Sequence, residues 1–161
     1  MAAAGVGLDE LEHRLEALLA NVSPPERVRL AHQLGRELRR SQSRRIRDNL
    51  NPDGSAFEAR KERPPLRSKK GRIKNRKRGA MFRKMGRPDA LNWQASADGV
   101  SVGFADTGLQ RIARVHQLGL PDRVGNSPSA PVALYPSRRL LGLTADDRRR
   151  ILDLVLAKLG A

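Results

Sequence analysis

Fourteen lysines and arginines and a single acid, Glu62, fall between residues 60 and 87, so this stretch is net +13. The whole chain is +15, which leaves only +2 for everything else. The positive charge is a local device, not a general property of the surface. Its chemistry is electrostatic: neutralising phosphates on a polyanion, or pairing with carboxylates on an acidic protein surface. The candidate partner-binding residues are Arg67, Lys69, Lys70, Arg72, Lys74, Arg76, Lys77, Arg78, Phe82 and Arg83. Phe82 is the one aromatic among them, too little for stacking on successive bases. No zinc-finger or RNP signature accompanies the run.

Residue types that carry catalysis are present but not grouped. His13, His32 and His116 fall on three different predicted helices and share no ligand spacing. His116 flanks an apolar helix face, which suits a hydrogen-bonded structural histidine better than a catalyst. Asp9-Glu10 and Asp146-Asp147 are paired acids, each in a predicted first helical turn, where the helix dipole accounts for them. No glycine-rich phosphate loop or nucleophile elbow is present. The expectation is therefore no enzyme, no cofactor and no metal.

The elements that must position the basic run are readable from periodicity. Leu8, Leu11, Leu15, Leu18, Leu19 and Val22 form a leucine stripe at helical spacing. A second helix is expected from Pro24 to about Leu50, opened by Ser23 as N-cap with Glu26 completing a capping box. Val28, Ala31, Leu34, Leu38 and Ile46 share one side of it, and arginines populate the others. Asn51-Pro52-Asp53-Gly54 ends it with turn chemistry. Residues 55–79 have no periodicity, and about 58–80 read as a long basic arm. Residues 80–85 read as a helical turn returning the chain to the core.

Downstream, Leu91, Trp93 and Ala95 alternate with polar residues, as do Val100, Val102 and Phe104, with Asp98-Gly99 as the turn between. Residues 109–118 read as a short helix with Leu109, Ile112 and Val115 facing inward and Gly119 as its cap. Residues 120–131 read as loop and 132–135 as a further strand. Thr144 starts a last helix whose stripe is Ile151, Leu154, Val155 and Leu159. The fold class is α+β: one small antiparallel sheet centred on the 91–105 hairpin, packed by the 24–50 and 144–159 helices, with the arm attached. The 161 residues read as a single domain.

Composition bounds the rest. There are no cysteines, which excludes disulfides and thiolate metal sites. Aromatics are 3% of residues, so the core must rest on aliphatic side chains. No membrane span or secretory leader is expected, and Asn21-Val22-Ser23 reads as a chance sequon.

Several stretches in order carry a family resemblance. They are Asn51-Pro52-Asp53-Gly54 with Phe57 and Arg60-Lys61, residues 80–85 (AMFRKM), residues 111–119 (RIARVHQLG), and residues 135–144 (YPSRRLLGLT). In these the chain resembles the phage virion morphogenesis family, the tail completion proteins of contractile-tailed temperate phages. One departure stands out: Arg139 occupies a position where the family tends to have proline. The resemblance implies a structural protein that acts at the head-proximal end of the tail tube. It implies a homo-oligomeric ring, commonly a hexamer, touching tail tube or sheath and head-connector proteins, with DNA in the tail lumen as a secondary neighbour. It places the protein in the host cytoplasm during assembly and then in the virion tail or a tail-like particle. The alternative is a basic nucleic-acid-binding protein that uses the 60–87 arm on phosphates.

Two substitutions test this reading of faces. Val102→Asp is expected to unfold the domain by burying an unpaired charge, and Arg76→Ala to change stability by less than about 0.5 kcal/mol. Urea unfolding followed by circular dichroism checks both.

Overall fold

A computed structural model describes Glu16 and residues 22–60, 81–125 and 127–159. The leucine stripe from Leu8 to Leu19 and arm residues 61–80 lie outside the described residues. The class is α+β, with helices packed on small antiparallel hairpins.

Helix α1 spans Pro24–Arg47. Its start is the predicted one: the Glu26 carboxylate accepts from the Ser23 backbone N–H at 3.3 Å and from the Ser23 hydroxyl at 2.8 Å. Its end comes three residues earlier than expected. Asp48 caps it, and Asn49 adopts a left-handed φ of 57°. Asparagine tolerates that conformation, and Pro52 disfavours helix just before it. Leu50 then bridges to Ala56 across a tight turn.

The buried side of α1 also differs from the expected stripe. Leu30, Ala31, Gly35, Gln42, Ser43, Arg45 and Ile46 are buried, while Val28, Leu34 and Leu38 are half-buried. Polar residues therefore dominate the inner face of its C-terminal half.

Strands β1 (Leu91–Ala95) and β2 (Val100–Phe104) form the expected hairpin, turning at Ser96–Gly99. Its register sets Leu91 opposite Phe104, Trp93 opposite Val102 and Ala95 opposite Val100. All three pairs are apolar and on one face, so alternation alone dictated which side α1 covers. The contact is close at Gly35. A Cβ there would sit 2.5 Å from Trp93 Cε3, so the helix carries glycine to let the indole in.

Helix α2 (Thr107–Leu118) begins at Asp106, whose carboxylate accepts from Leu109 N–H at 3.0 Å, and ends at Gly119 with φ 66°. Its packed row is Leu109, Ala113 and Gln117, at i, i+4 and i+8, with Val115 also buried. Ile112, expected inside, is 43% exposed because it lies off that row.

Residues 120–131 are not all loop. Strands β3 (Pro121–Arg123) and β4 (Val132–Leu134) pair antiparallel as a second hairpin, separate from the first. The expected strand at 132–135 exists, but its partner is β3. A polar Pro-Asp-Arg strand has no alternation to betray it. The Arg111–Asp122 ion pair and a Val124 N–H donated to Pro131 C=O at 2.8 Å hold this hairpin in place.

Helix α3 (Ala145–Leu159) is capped reciprocally by Thr144 and Asp147, with both bonds 3.0 Å long. Arg150 donates to Glu37 at 2.9 Å, and Lys158 lies near Glu26, so α3 runs antiparallel to α1. Its predicted stripe is half-buried, and Leu152 and Leu156 are each 51% exposed.

The core gathers Ile46, Phe57, Met85, Leu91, Phe104, Ala113 and Leu140. Phe57 and Met85 flank the arm in sequence, so the core sits where the arm leaves and returns.

Gly35→Ala is expected to destabilise the fold by about 1–3 kcal/mol through overpacking against Trp93, despite alanine's helix preference of about 1 kcal/mol. Urea unfolding checks this. A variant as stable as the parent would show that the indole does not seat on Gly35.

Candidate functional site

The site is the root of the basic arm. The chain leaves the described fold at Arg60 and rejoins it at Met81, and both residues line one cleft of about 580 Å³. Around it, rings follow one another edge to face. Phe57 meets Phe82 at 5.8 Å between centroids, Phe82 meets His116 at 4.7 Å, and His116 meets Tyr135 at 5.1 Å. Such edge contacts add stability beyond buried area.

Arg138 ties these parts together and is only 4% exposed. Its Nε donates to Glu58 C=O at 2.7 Å, its Nη2 to Ala59 C=O at 3.2 Å, and its Nη1 to His116 Nδ1 at 3.1 Å. Its own backbone N–H donates to His116 C=O at 2.7 Å. Burial pulls the guanidinium pKa down, and the Glu58 carboxylate partly opposes that. Because a guanidinium only donates, His116 Nδ1 must accept, which places the ring proton on Nε2. Burial first, then the Arg138 charge, push the His116 pKa down to about 4. The imidazole is therefore a neutral acceptor near pH 7. This fulfils the expectation of a hydrogen-bonded structural histidine.

The segment carrying Arg138 is held throughout by side chains. Asn51 Oδ1 accepts from Arg139 N–H at 2.9 Å. Arg45, itself buried, donates to Leu50 C=O and Arg139 C=O at 2.8 Å each and to Leu140 C=O at 2.7 Å. Gln117 grips both backbone groups of Leu141, at 3.0 and 2.9 Å. Gln42 does the same for Gly142, at 2.9 and 3.2 Å. Gly142 has φ 150°, and a Cβ on it would lie 2.6 Å from Pro52 Cγ, so no other residue fits. Arg139 makes use of its departure from proline: its N–H bonds Asn51, and its side chain pairs with Asp53.

Of the sequence candidates, Arg67, Lys69, Lys70, Arg72, Lys74, Arg76, Lys77 and Arg78 lie outside the described residues. Arg83 is exposed. Phe82 is half-buried, with φ 57° and its ring between Phe57 and His116, so it anchors the arm. Sequence reasoning missed Arg138, Arg45, Gln42 and Gln117. Nothing in their types signalled burial; the adjacent Leu140-Leu141-Gly142 was the nearest hint.

Another concavity, of about 800 Å³, lies between the C-terminal half of α1, the 50–54 turn and the start of α3. Its charges are of mixed sign, including Arg40, Arg44, Asp48 and Asp146. Among the described residues, no group of three or more His, Cys, Asp or Glu stands where a metal ion would bind.

The His116 environment makes stability depend on pH. The folded pKa of about 4 lies below the ordinary 6.5, so the unfolded chain binds the proton first as pH falls. Stability is complete above about pH 6.5, declines towards pH 4 and is flat for this group below that. With the ring only half-buried, the loss is about 1–2 kcal/mol, below the full linkage value. His116→Gln keeps an acceptor for Arg138 and should remove this component of the pH profile in urea titrations. An unchanged profile would mean the ring is not held neutral.

The sequence model of the phage virion morphogenesis family matches residues 6–160. A curated relative, tail completion protein S of Escherichia phage P2, is 36% identical over 148 residues, covering 92% of this chain and 94% of the relative. No solved structure matches significantly. Residues 81–85, 111–119 and 135–144 of the stretches that carry the resemblance meet around Phe82, His116 and Arg138, and with a match across nearly the whole length the chain belongs to the phage virion morphogenesis family.

Proposed function

We propose that this protein is a structural component that completes phage tails, or related tail-like particles, through protein–protein contacts. The observation that carries this reading is the match, across nearly the whole of both chains, to a protein named for tail completion. The role is structural and not enzymatic. The polar residues gathered around the 138–142 segment, Arg45, Arg138, Gln42 and Gln117, are engaged in holding backbone.

The finer reading is a homo-oligomeric ring, a hexamer, at the head-proximal end of the tail tube, contacting tube or sheath on one side and head connector on the other. In a closed ring one face of each subunit meets a different face of the next. Two separate apolar faces support that geometry: Leu152 and Leu156 on α3, and Val132 and Leu134 on the second hairpin, with exposures between 51% and 67%. Arg138 bonds the Glu58 and Ala59 carbonyls just before the basic segment, which suits contacts to a neighbour that start from a defined point. Assembly proceeds in the host cytoplasm, and the protein stays with the tail.

Deleting residues 66–79 is expected to leave a folded domain and block particle completion. The test supplies this variant in trans to a prophage lacking the gene and counts joined particles by electron microscopy. Normal joining would overturn the arm's role. Tails completed normally without any copy of the gene would overturn the function itself. Sedimentation of the intact protein checks the ring: a monomer at every concentration, and also in the presence of tail tubes, would refute it.

A further inference from the structure

The outer face of α1 carries a second basic feature, distinct from the arm. Arg29, Arg36, Arg40, Arg44 and Arg47 are all exposed. Their spacings of seven, four, four and three residues place them on one stripe, opposite the face that packs on the hairpin. At 1.5 Å per residue the stripe is about 27 Å long, with cations about every 6 Å in its second half.

None of the five makes a salt bridge with a carboxylate among the described residues, although Arg40 and Arg44 border the concavity that also holds Asp48 and Asp146; Glu37, on the flank, is engaged by Arg150. The helix dipole favours cations in the last turn, which accounts for Arg44 and Arg47. It does not account for Arg29 or Arg36, and like charges at i, i+4 destabilise a helix. The face keeps them regardless.

The stripe also continues into the arm's return. Ser43 Oγ donates to Gly86 C=O at 2.6 Å, and a Cβ on Gly86 would lie 2.7 Å from Arg47 Cγ. Residues 81–87 thus lie against the C-terminal end of α1, with Arg83 and Lys84 exposed beside it.

The chemistry of this face selects its partner. Gln33, half-buried, is the neutral residue among the arginines, and no apolar side chain lies along the stripe. A protein interface would want buried apolar or aromatic anchors at its centre. Base stacking is equally unsupported. The Trp93 ring is packed on Gly35 and His32, and Phe57, Phe82 and Tyr135 are engaged at the arm's root. Evenly spaced guanidinium groups with nothing to read bases suit a phosphodiester backbone.

We propose that the outer face of α1, continued by Arg83 and Lys84, is a track for the phosphate backbone of duplex DNA, bound without sequence preference. Its length spans about eight base-pair steps at 3.4 Å each. This goes beyond the tail-completion reading and does not rest on it, since a tail can be completed without DNA contact.

The test uses the full chain and a labelled duplex of about 30 base pairs of arbitrary sequence, followed by fluorescence anisotropy between about 50 and 200 mM NaCl. The parent should bind with a steep salt dependence. In Arg36→Gln/Arg40→Gln/Arg44→Gln, the slope of log affinity against log salt should fall by about 2–3, near 0.9 per lost phosphate contact. If that variant does not fold by circular dichroism, Arg36→Gln and Arg40→Gln singly should each lower the slope by about 0.9. Arg→Lys changes at the same positions should retain it. No binding at the lowest salt, or variants with the parental slope and affinity, would overturn the proposal. Displacement of DNA by polyglutamate at equal charge would also overturn it, because it would make the face a general acidic-surface binder.

Discussion

The structure depends on an irregular segment, residues 138–142, whose backbone is bonded almost wholly by side chains from elsewhere. Arg45 and Gln42 reach it from α1, Gln117 from α2, and Asn51 from the turn after α1. A buried segment without regular structure would otherwise leave unpaired carbonyls and amides, each costing about 1–3 kcal/mol. Leu140, fully buried, is the apolar reward at its centre. The segment then feeds directly into the Thr144–Asp147 cap of α3. One strap thereby fixes three helices relative to one another.

That arrangement suits a chain with few aromatics. A small apolar core can pack in more than one way, whereas a polar network with fixed donors and acceptors accepts one register. The cost is buried charge. Arg45 and Arg138 are both buried, and burial depresses both their pKa values. Arg45 draws partial compensation from Asp147, and Arg138 from Glu58. Carbonyl oxygens accept most of their hydrogen bonds, so neither depends on a single ion pair.

The same strap gives the arm its fixed base. Arg138 binds the last carbonyls before the arm, while Phe82, just after it, packs on His116. The residues on either side of the basic segment, Glu58 to Arg60 and Met81 with Phe82, are thereby held close together.

Much of this was legible from sequence because it is local. Helix starts follow from Ser23 with Glu26 and from Thr144, and the β1–β2 register from strict alternation. The Gly119 cap follows from its conformational freedom. These features depend on neighbours within a few residues. The exposure of Ile112 and the pairing of β3 with β4 were decided by tertiary contacts. A polar strand and a left-handed Asn49 leave no periodic mark. Least legible was the site itself. Two arginines and two glutamines look like solvated surface residues until partners some 20 to 100 positions away surround them. Sequence determined the elements and the place of the charge; tertiary structure decided which polar side chains are buried, because only distant backbone in need of partners can make that burial favourable.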